Sequence, residues 1–174
     1  MRWGSLGLAF ALAWAGAAFA KTGAKTVAKS VATPQVKTAK PASRDPVWIQ
    51  VGKARLLVEI ADNDSLRTAG LSNRQKLDWN AGMLFVFPDA AQRAFWMVDC
   101  HLDLDIAYLD GNGVVRDIQT MVVEPGVRPE ALRRYPSATS DIAYALETNR
   151  GWMASNGLKV GQKLPEITAF KTRI

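Results

Sequence analysis

The chain has 174 residues, of which 48% are hydrophobic and 22% charged, and its formal net charge is +6. Seven of its 22 basic residues but only one of its 16 acidic residues precede Pro46, so residues 46–174 hold 15 of each. A nucleic-acid-binding domain carries its basic excess on the folded surface, and this composition argues against that class. The lone cysteine, Cys100, excludes an internal disulfide.

The N-terminal residues have the pattern of a secretory signal peptide. A positive start at Arg2 precedes an apolar run, and the run ends in the small-residue motif Ala18-Phe19-Ala20. The run is short for a transmembrane helix, which needs about 20 apolar residues. The sequence therefore predicts a signal peptide at residues 1–20, cleavage after Ala20, and a periplasmic or secreted protein.

Residues 21–45 are predicted to be a disordered basic linker. They contain six basic residues and no aromatic residue, so they cannot bury enough apolar surface to offset the entropy of ordering. The linker is either a solvated spacer or a segment that contacts anionic lipid or polyanionic envelope material. Residues 46–174 have a suitable length for one domain.

The first half of this domain shows patterns of strands and one helix. These patterns predict strands at residues 47–51 and 54–60, a helix at residues 66–71, and a buried strand at residues 84–87. The second half adds a long strand and a strong hairpin signal at Asp110-Gly111-Asn112-Gly113. Its further predicted elements are a strand at 95–109, a return strand at 114–123, a surface loop at 125–136, a strand at 142–147, a helix ending at 155, and short strands at 158–160 and 167–170.

Together these elements predict an α+β fold that is mainly β, in a single domain. The expected architecture is an antiparallel-rich curled sheet or a small barrel, with two short helices. Alternating βαβ units are absent from the pattern, which argues against a Rossmann-type sheet.

The segment from Trp96 to Tyr108 alternates between apolar and polar residues. Its even positions are nearly all apolar, and the odd positions include Asp99, His101, Asp103 and Asp105. Because side chains alternate across a strand, the acids and the only histidine should share one face. Neighbours on that face lie ~6.6 Å apart, so their like charges need a basic partner, water, a cation or a ligand.

Two interpretations of this face are open. Asp99, His101 and Asp103 offer oxygen and nitrogen ligands that suit a divalent metal, although the spacing matches no named ligand motif. The alternative is an exposed polar face near basic side chains such as Arg67 or Arg74. A Cys100–His101 nucleophile pair is disfavoured, because adjacent residues of a strand point to opposite faces.

A set of ordered motifs resembles the domain-of-unknown-function 192 family over roughly residues 54–165. The resemblance implies a single compact β-rich domain, often exported, and it implies no established activity. The motifs are Arg67-x-x-Gly70-Leu71-x-x-Arg74-x-x-Leu77, Gly82-Met83-Leu84-Phe85-x-Phe87, Phe95-Trp96-Met97, Leu104-Asp105-Ile106, Asp110-x-x-Gly113, Tyr135-x-Ser137, Leu146-Glu147, Gly151 and Gly161.

The chain departs from the family pattern in the middle. Where the family typically has Lys-Asn-Thr and then Ile-Pro-Leu-Asp, this sequence has Val98-Asp99-Cys100 and Leu102-Asp103-Leu104-Asp105. Arg67, Arg74 and Asp105 all fall on motif positions. We expect one of the two arginines to pair with Asp105 and pin the helix to the sheet, to bind a ligand, or both.

Two functions remain open from the sequence. The first is a binding or accessory module of the cell envelope that takes an unknown small molecule or envelope component. Its predicted polar pocket consists of Arg67, Arg74, Trp79, Asp99, His101 and Asp105, with Trp79 at the edge. The second is a hydrolytic enzyme that uses the carboxylates, with a divalent metal as an optional cofactor. A deep site that converges on His101 and an acid of raised pKa favours the enzyme, and an open face favours the binding module.

Overall fold

The computed structural model of the protein describes residues 45–172. The predicted signal peptide and all but the last residue of the predicted linker lie outside the described residues. The described residues belong to one compact unit. Within them, no helix has the length and apolar character needed to cross a membrane.

Between residues 45 and 172 the structure has eight strands, two short α-helices and two 3₁₀ turns, which confirms the predicted mainly β fold. The strands are β1 (Val47–Val51), β2 (Ala54–Ala61), β3 (Ala81–Ala91), β4 (Ala94–Phe95), β5 (Leu104–Asp110), β6 (Val115–Met121), β7 (Tyr135–Pro136) and β8 (Ile142–Asn149). The helices are α1 (Asp64–Ala69) and α2 (Trp152–Ser155), and the 3₁₀ turns are Pro129–Ala131 and Pro165–Ala169.

Six strands form an open sheet in the order β1-β2-β3-β8-β5-β6, and β4 pairs with β7 in a second, two-stranded sheet. The sequence predicted a curled sheet or a small barrel, and the observed sheet does not close into a barrel. All strand pairs are antiparallel except β2 and β3, which run parallel. Parallel neighbours need a long crossover, and residues 62–80, which include α1, provide it. This is one β-α-β connection in an otherwise antiparallel sheet, and it differs from the repeated alternation of a Rossmann-type sheet. Its helix was predicted at residues 66–71 and lies at Asp64–Ala69.

Apolar cores cover both faces of the six-stranded sheet. The alternation along β5 divides its side chains between the two cores: Ala107 and Leu109 join the first core, whereas Leu104, Ile106 and Tyr108 join the second. All seven residues of β5 are consequently buried. The first core also contains α2 and the C-terminal 3₁₀ turn, and the second packs under α1 and β7.

The prediction of one uninterrupted strand from residue 95 to residue 109 was wrong. A turn follows β4, in which the Cys100 amide donates to the Met97 carbonyl at 3.2 Å. Asp99 lies in the left-handed region with φ of 53°, where no strand can continue. Its carbonyl accepts from the amide of Asn73, another left-handed residue, at 2.7 Å. The side-chain parity that begins at Trp96 therefore does not extend into β5.

The prediction of two short strands near the C-terminus was also wrong. Residues 158–160 form a loop, and Pro165–Ala169 forms a 3₁₀ turn instead of a strand. Leu158 and Ile167, whose apolar side chains suggested the strands, pack into the first core instead. The predicted hairpin at Asp110 is confirmed: its carboxylate accepts from the amides of Asn112 and Val114.

Gly82 allows β3 to approach β8 closely at Glu147. A Cβ atom at residue 82 would collide with the Glu147 carbonyl oxygen, whereas one at Gly111 would meet nothing within 4 Å. We expect Gly82→Ala to lower the free energy of unfolding by about 2–3 kcal/mol, because both strands must shift. Gly111→Ala is the matched control and should stay within about 0.5 kcal/mol of the wild type. Denaturant unfolding measures both, and equal effects would contradict the close approach.

Candidate functional site

Glu147 is the most unusual ionisable residue of the described chain. It lies on β8, which is central in the sheet, and its register partners are Met83 on β3 and Ile106 on β5. Both partners belong to the second core, so the Glu147 side chain enters that core and is only 5% exposed. Within residues 45–172, no hydrogen bond or ion pair to its carboxyl group is found.

Burial without a partner changes the protonation of this group. Desolvation disfavours a charged carboxylate, and it raises the pKa of Glu147 from its ordinary value of 4.5 to about 8. At neutral pH the carboxyl group is therefore mostly protonated and can donate a hydrogen bond. A neutral acid of this kind, placed in a cavity, is typical of binding and catalytic sites.

Glu147 lines a cavity of about 570 Å³ on the second-core face of the sheet. We call this cavity the Glu147 pocket. Its lining residues come from β8, α1 with the following turn, β3, β4 with the following turn, and the loop before β7; they include Arg67, Ser72, Phe85, Phe87, Arg93, Phe95, Trp96, Cys100, Arg134 and Glu147. The size suits a small organic molecule.

Aromatic rings form one wall of the Glu147 pocket. The Phe95 ring meets Phe85 edge to face with centroids 4.9 Å apart, and it also contacts Phe87 at 6.4 Å and Tyr108 at 5.9 Å. Tyr108 is fixed behind this wall, because its hydroxyl donates to the Tyr135 carbonyl. The wall is therefore rigid and apolar, as is usual for small-molecule sites.

Three arginines line the same pocket. Arg67, on α1, donates to the Val86 carbonyl at 2.7 Å and to Asp64 at 2.6 Å. The predicted role of Arg67 in pinning the helix to the sheet is thus fulfilled, but through a backbone carbonyl of β3 and not through Asp105. Asn63 caps the N-terminus of α1, because its side chain accepts from the Leu66 amide at 3.0 Å.

The other two arginines differ in their partners. Arg93 forms an ion pair with Asp89 at 2.9 Å and lies over the Phe87 ring. The Arg134 guanidinium lies 3.7 Å from the centre of the Trp96 ring, and within residues 45–172 it pairs with no carboxylate. Cation–π contacts of this kind hold a guanidinium in place while leaving its N–H groups free.

Cys100 is a half-buried wall residue between two cavities. Burial, together with the nearby charge of Glu147, raises the pKa of its thiol to about 11. The thiol is therefore protonated at neutral pH and is no activated nucleophile. His101, next in sequence, is exposed and lines a different cavity.

The predicted site residues do not form one site. Asp105 is buried and accepts from the Thr120 hydroxyl at 2.8 Å and from the Gly151 amide at 2.7 Å. Its predicted pairing with Arg67 or Arg74 was wrong, because its side chain points to the first-core face of the sheet. Neighbouring Asp103 also has partners of its own: it accepts from the Val123 amide at 2.8 Å and pairs with Arg150 at 3.0 Å.

Arg74 and Trp79 lie away from the Glu147 pocket. Arg74 binds the Glu59 carboxylate with two hydrogen bonds of 2.5 and 2.7 Å. Trp79 is 51% exposed and does not line the pocket. Of the predicted set, only Arg67 lines the pocket. Asp99, His101 and Asp105 were grouped because they were expected on one face of an uninterrupted strand, and the turn at Asp99 interrupts it.

Asp99 and His101 line a neighbouring cavity of about 610 Å³, which shares Val98 and Cys100 with the Glu147 pocket. The proposed metal ligand Asp103 does not line it. In the part of the chain that the structure describes, no three histidine, cysteine or acidic side chains are arranged to hold a metal ion. The structure thus does not bring Asp99, His101 and Asp103 together as a ligand set.

Sequence reasoning missed the central residues of the Glu147 pocket. The signal for Glu147 was present, since it is the single acid in the apolar stretch from Ile142 to Glu147, and a buried polar residue is informative. Trp96 occupies an apolar, even position of the alternating segment but is 38% exposed, because the Asp99 turn interrupts that alternation. Arg134 lies in a loop without periodicity and gave no signal.

Comparisons with known proteins place the fold in an uncharacterised group. The model of the family DUF192, described as "Uncharacterized ACR", matches residues 47–165. No curated protein matches the chain. A crystal structure of a protein described as a "putative transcription regulator" from Sinorhizobium meliloti 1021 is 27% identical, with a TM-score of 0.56 over 68% of this chain and 89% of that one. A protein of unknown function from Novosphingobium aromaticivorans DSM 12444 is also 27% identical, with a TM-score of 0.54 over 68% and 81%.

The raised pKa of Glu147 predicts a specific dependence of stability on pH. Between pH 4.5 and about 8 the unfolded chain has released this proton and the folded protein retains it, so stability falls as pH rises. Glu147→Gln removes the titrating carboxyl group and with it this dependence of stability on pH. From pH 5 to pH 8 the stability difference should therefore move in favour of the variant by about 2–4 kcal/mol.

Denaturant unfolding at several pH values measures this shift. Glu130→Gln is the matched control, because Glu130 is exposed. The stability of this variant should depend on pH in the same way as that of the wild type. Parallel curves for Glu147→Gln and the wild type would show that Glu147 titrates normally in the folded protein.

Proposed function

Because the chain belongs to DUF192, a family without a characterised activity, we propose its function from the pocket itself: the domain binds a small molecule in the Glu147 pocket. One observation carries this proposal. A buried carboxyl group without a protein partner lies in a concave cavity with an aromatic wall and arginines. Because this carboxyl group makes no hydrogen bond within the described residues and faces the cavity, it can form one with a molecule that enters.

A binding function accounts for this pocket better than the hydrolytic alternative. Hydrolysis by carboxylates uses two acids, or an acid with an activated nucleophile. Among the described residues that line the pocket, Glu147 is the only acid, and the Cys100 thiol is protonated at neutral pH. The acid of raised pKa is present as the enzyme hypothesis required, but it does not converge with His101, which lines the neighbouring cavity.

We further propose that the domain acts in the cell envelope as an accessory binding module. The support is the signal-peptide pattern that ends at Ala20 and the basic linker that follows it. The balance of 15 basic and 15 acidic residues from residue 46 onward gives no support for nucleic-acid binding by this domain.

A blocked pocket tests the binding function. Thr68 and Ser65 are both exposed on α1, but only Thr68 lines the Glu147 pocket. We expect ligand-observed NMR with a fragment library of mixed charge to find compounds that bind the wild type and Ser65→Trp but not Thr68→Trp. Thermal melts confirm that both variants fold. If no fragment binds, or if the same fragments bind Thr68→Trp equally well, the pocket is not a binding site.

The proposed location has a separate test. Because the signal-peptide pattern ends at Ala20, N-terminal sequencing of the protein from a periplasmic extract should begin at Lys21. A protein that begins at Met1 and stays in the cytoplasmic fraction would contradict export, while leaving the binding function untouched.

A further inference from the structure

We infer that the ligand of the Glu147 pocket is a flat organic monoanion, of the class of aromatic carboxylic acids, whose charge is held by Arg134 at the aromatic wall. This inference rests on the proposed binding function and names the ligand class of the same site. Three features of the pocket carry it: the balance of charges, the geometry of Arg134, and the wall of rings.

The charges that line the pocket add up to one uncompensated cation. Asp64 neutralises Arg67, and Asp89 neutralises Arg93. Within residues 45–172 no carboxylate pairs with Arg134, and Glu147 contributes no full negative charge at neutral pH because it is buried. A bound cation would therefore meet net repulsion, and a dianion would exceed the available charge. A monoanion matches the site.

The position of Arg134 suits a carboxylate. Its guanidinium lies 3.7 Å from the centre of the Trp96 ring, and a stacked guanidinium keeps the donors at its edge available for a planar carboxylate. Arg134 also covers one face of Trp96, which reduces the surface on which a neutral sugar ring could stack. The pair therefore favours an anion over a carbohydrate.

The wall of rings suits the flat body of the ligand. Phe95 meets Phe85 edge to face, with an interplanar angle of 88°, and the cavity measures about 570 Å³. Aromatic rings prefer such edge-to-face or offset contacts with further rings. A single aromatic ring with a short acidic side chain fits this volume. A hydrogen-bond acceptor on such a ligand would accept a hydrogen bond from the protonated Glu147 carboxyl group.

The test uses three compounds with the same ring and different charge: phenylacetate, phenylacetamide and phenethylamine. We expect phenylacetate to bind at pH 7 about tenfold more tightly than the neutral amide, and the cationic amine to bind least. Titrations followed by NMR give the three affinities. Arg134→Gln should remove the preference of phenylacetate over the amide. Arg133→Gln is the matched control, because its guanidinium lies over Tyr135 and does not line the pocket.

The outcomes separate the ligand class from the binding function. Equal binding of phenylacetate and phenylacetamide, both lost in Thr68→Trp, would overturn the anion and leave the pocket as a binding site. Binding of library fragments to the pocket without binding of phenylacetate would also overturn the ligand class. If neither the library nor the three compounds bind, both proposals fail. If Arg134→Gln still prefers phenylacetate over phenylacetamide, Arg134 does not bind the charge of the ligand.

Discussion

The structure depends on one constraint: the central strands β3, β8 and β5 are covered by an apolar core on each face. Residues 82–86 of β3, 104–110 of β5 and 144–148 of β8 are all buried. Each polar side chain among them therefore needs a partner or must lose its charge. Asp105 and Asp110 meet this requirement with hydrogen bonds to nearby amides, a hydroxyl and Arg116. Glu147 meets it by remaining protonated.

The same constraint places the site. Glu147 points to the second core, where α1, the two-stranded β4–β7 sheet and the Asp99 turn cover the sheet without filling the space above it. Hydrogen bonds hold these covering elements in place: Arg67 to β3, Ser72 to the Val98 carbonyl, and Asn73 to the Asp99 carbonyl. The pocket is therefore a preformed feature of the packing, and a ligand would have little to rearrange.

Membership of DUF192 and likeness to two solved bacterial structures fix the fold more firmly than the function. The motifs that define the resemblance have mostly structural roles in this chain. Gly82 allows the backbone of β8 to approach closely, and Asp105 accepts a hydrogen bond from the Gly151 amide. Asp110 stabilises the hairpin by accepting a hydrogen bond from the Val114 amide. Arg67 and Glu147 differ from these, because both line the pocket. A motif position is therefore a guide to function only after its contacts have been seen.

The sequence by itself determined the mainly β class, the first two strands, the hairpin at Asp110, a short helix near Leu66 and the absence of an internal disulfide. Those features follow from local chemistry: alternation, turn residues and the count of cysteines. Only the tertiary structure decided that Asp105 and Glu147 face different cores, that Asp99 interrupts the strand, and that Arg134 lies beside Trp96. Alternation tells which residues share a face but not whether that face meets solvent or a second core. The site brings together residues far apart in the chain, and their proximity exists only once the sheet is assembled and covered on both faces.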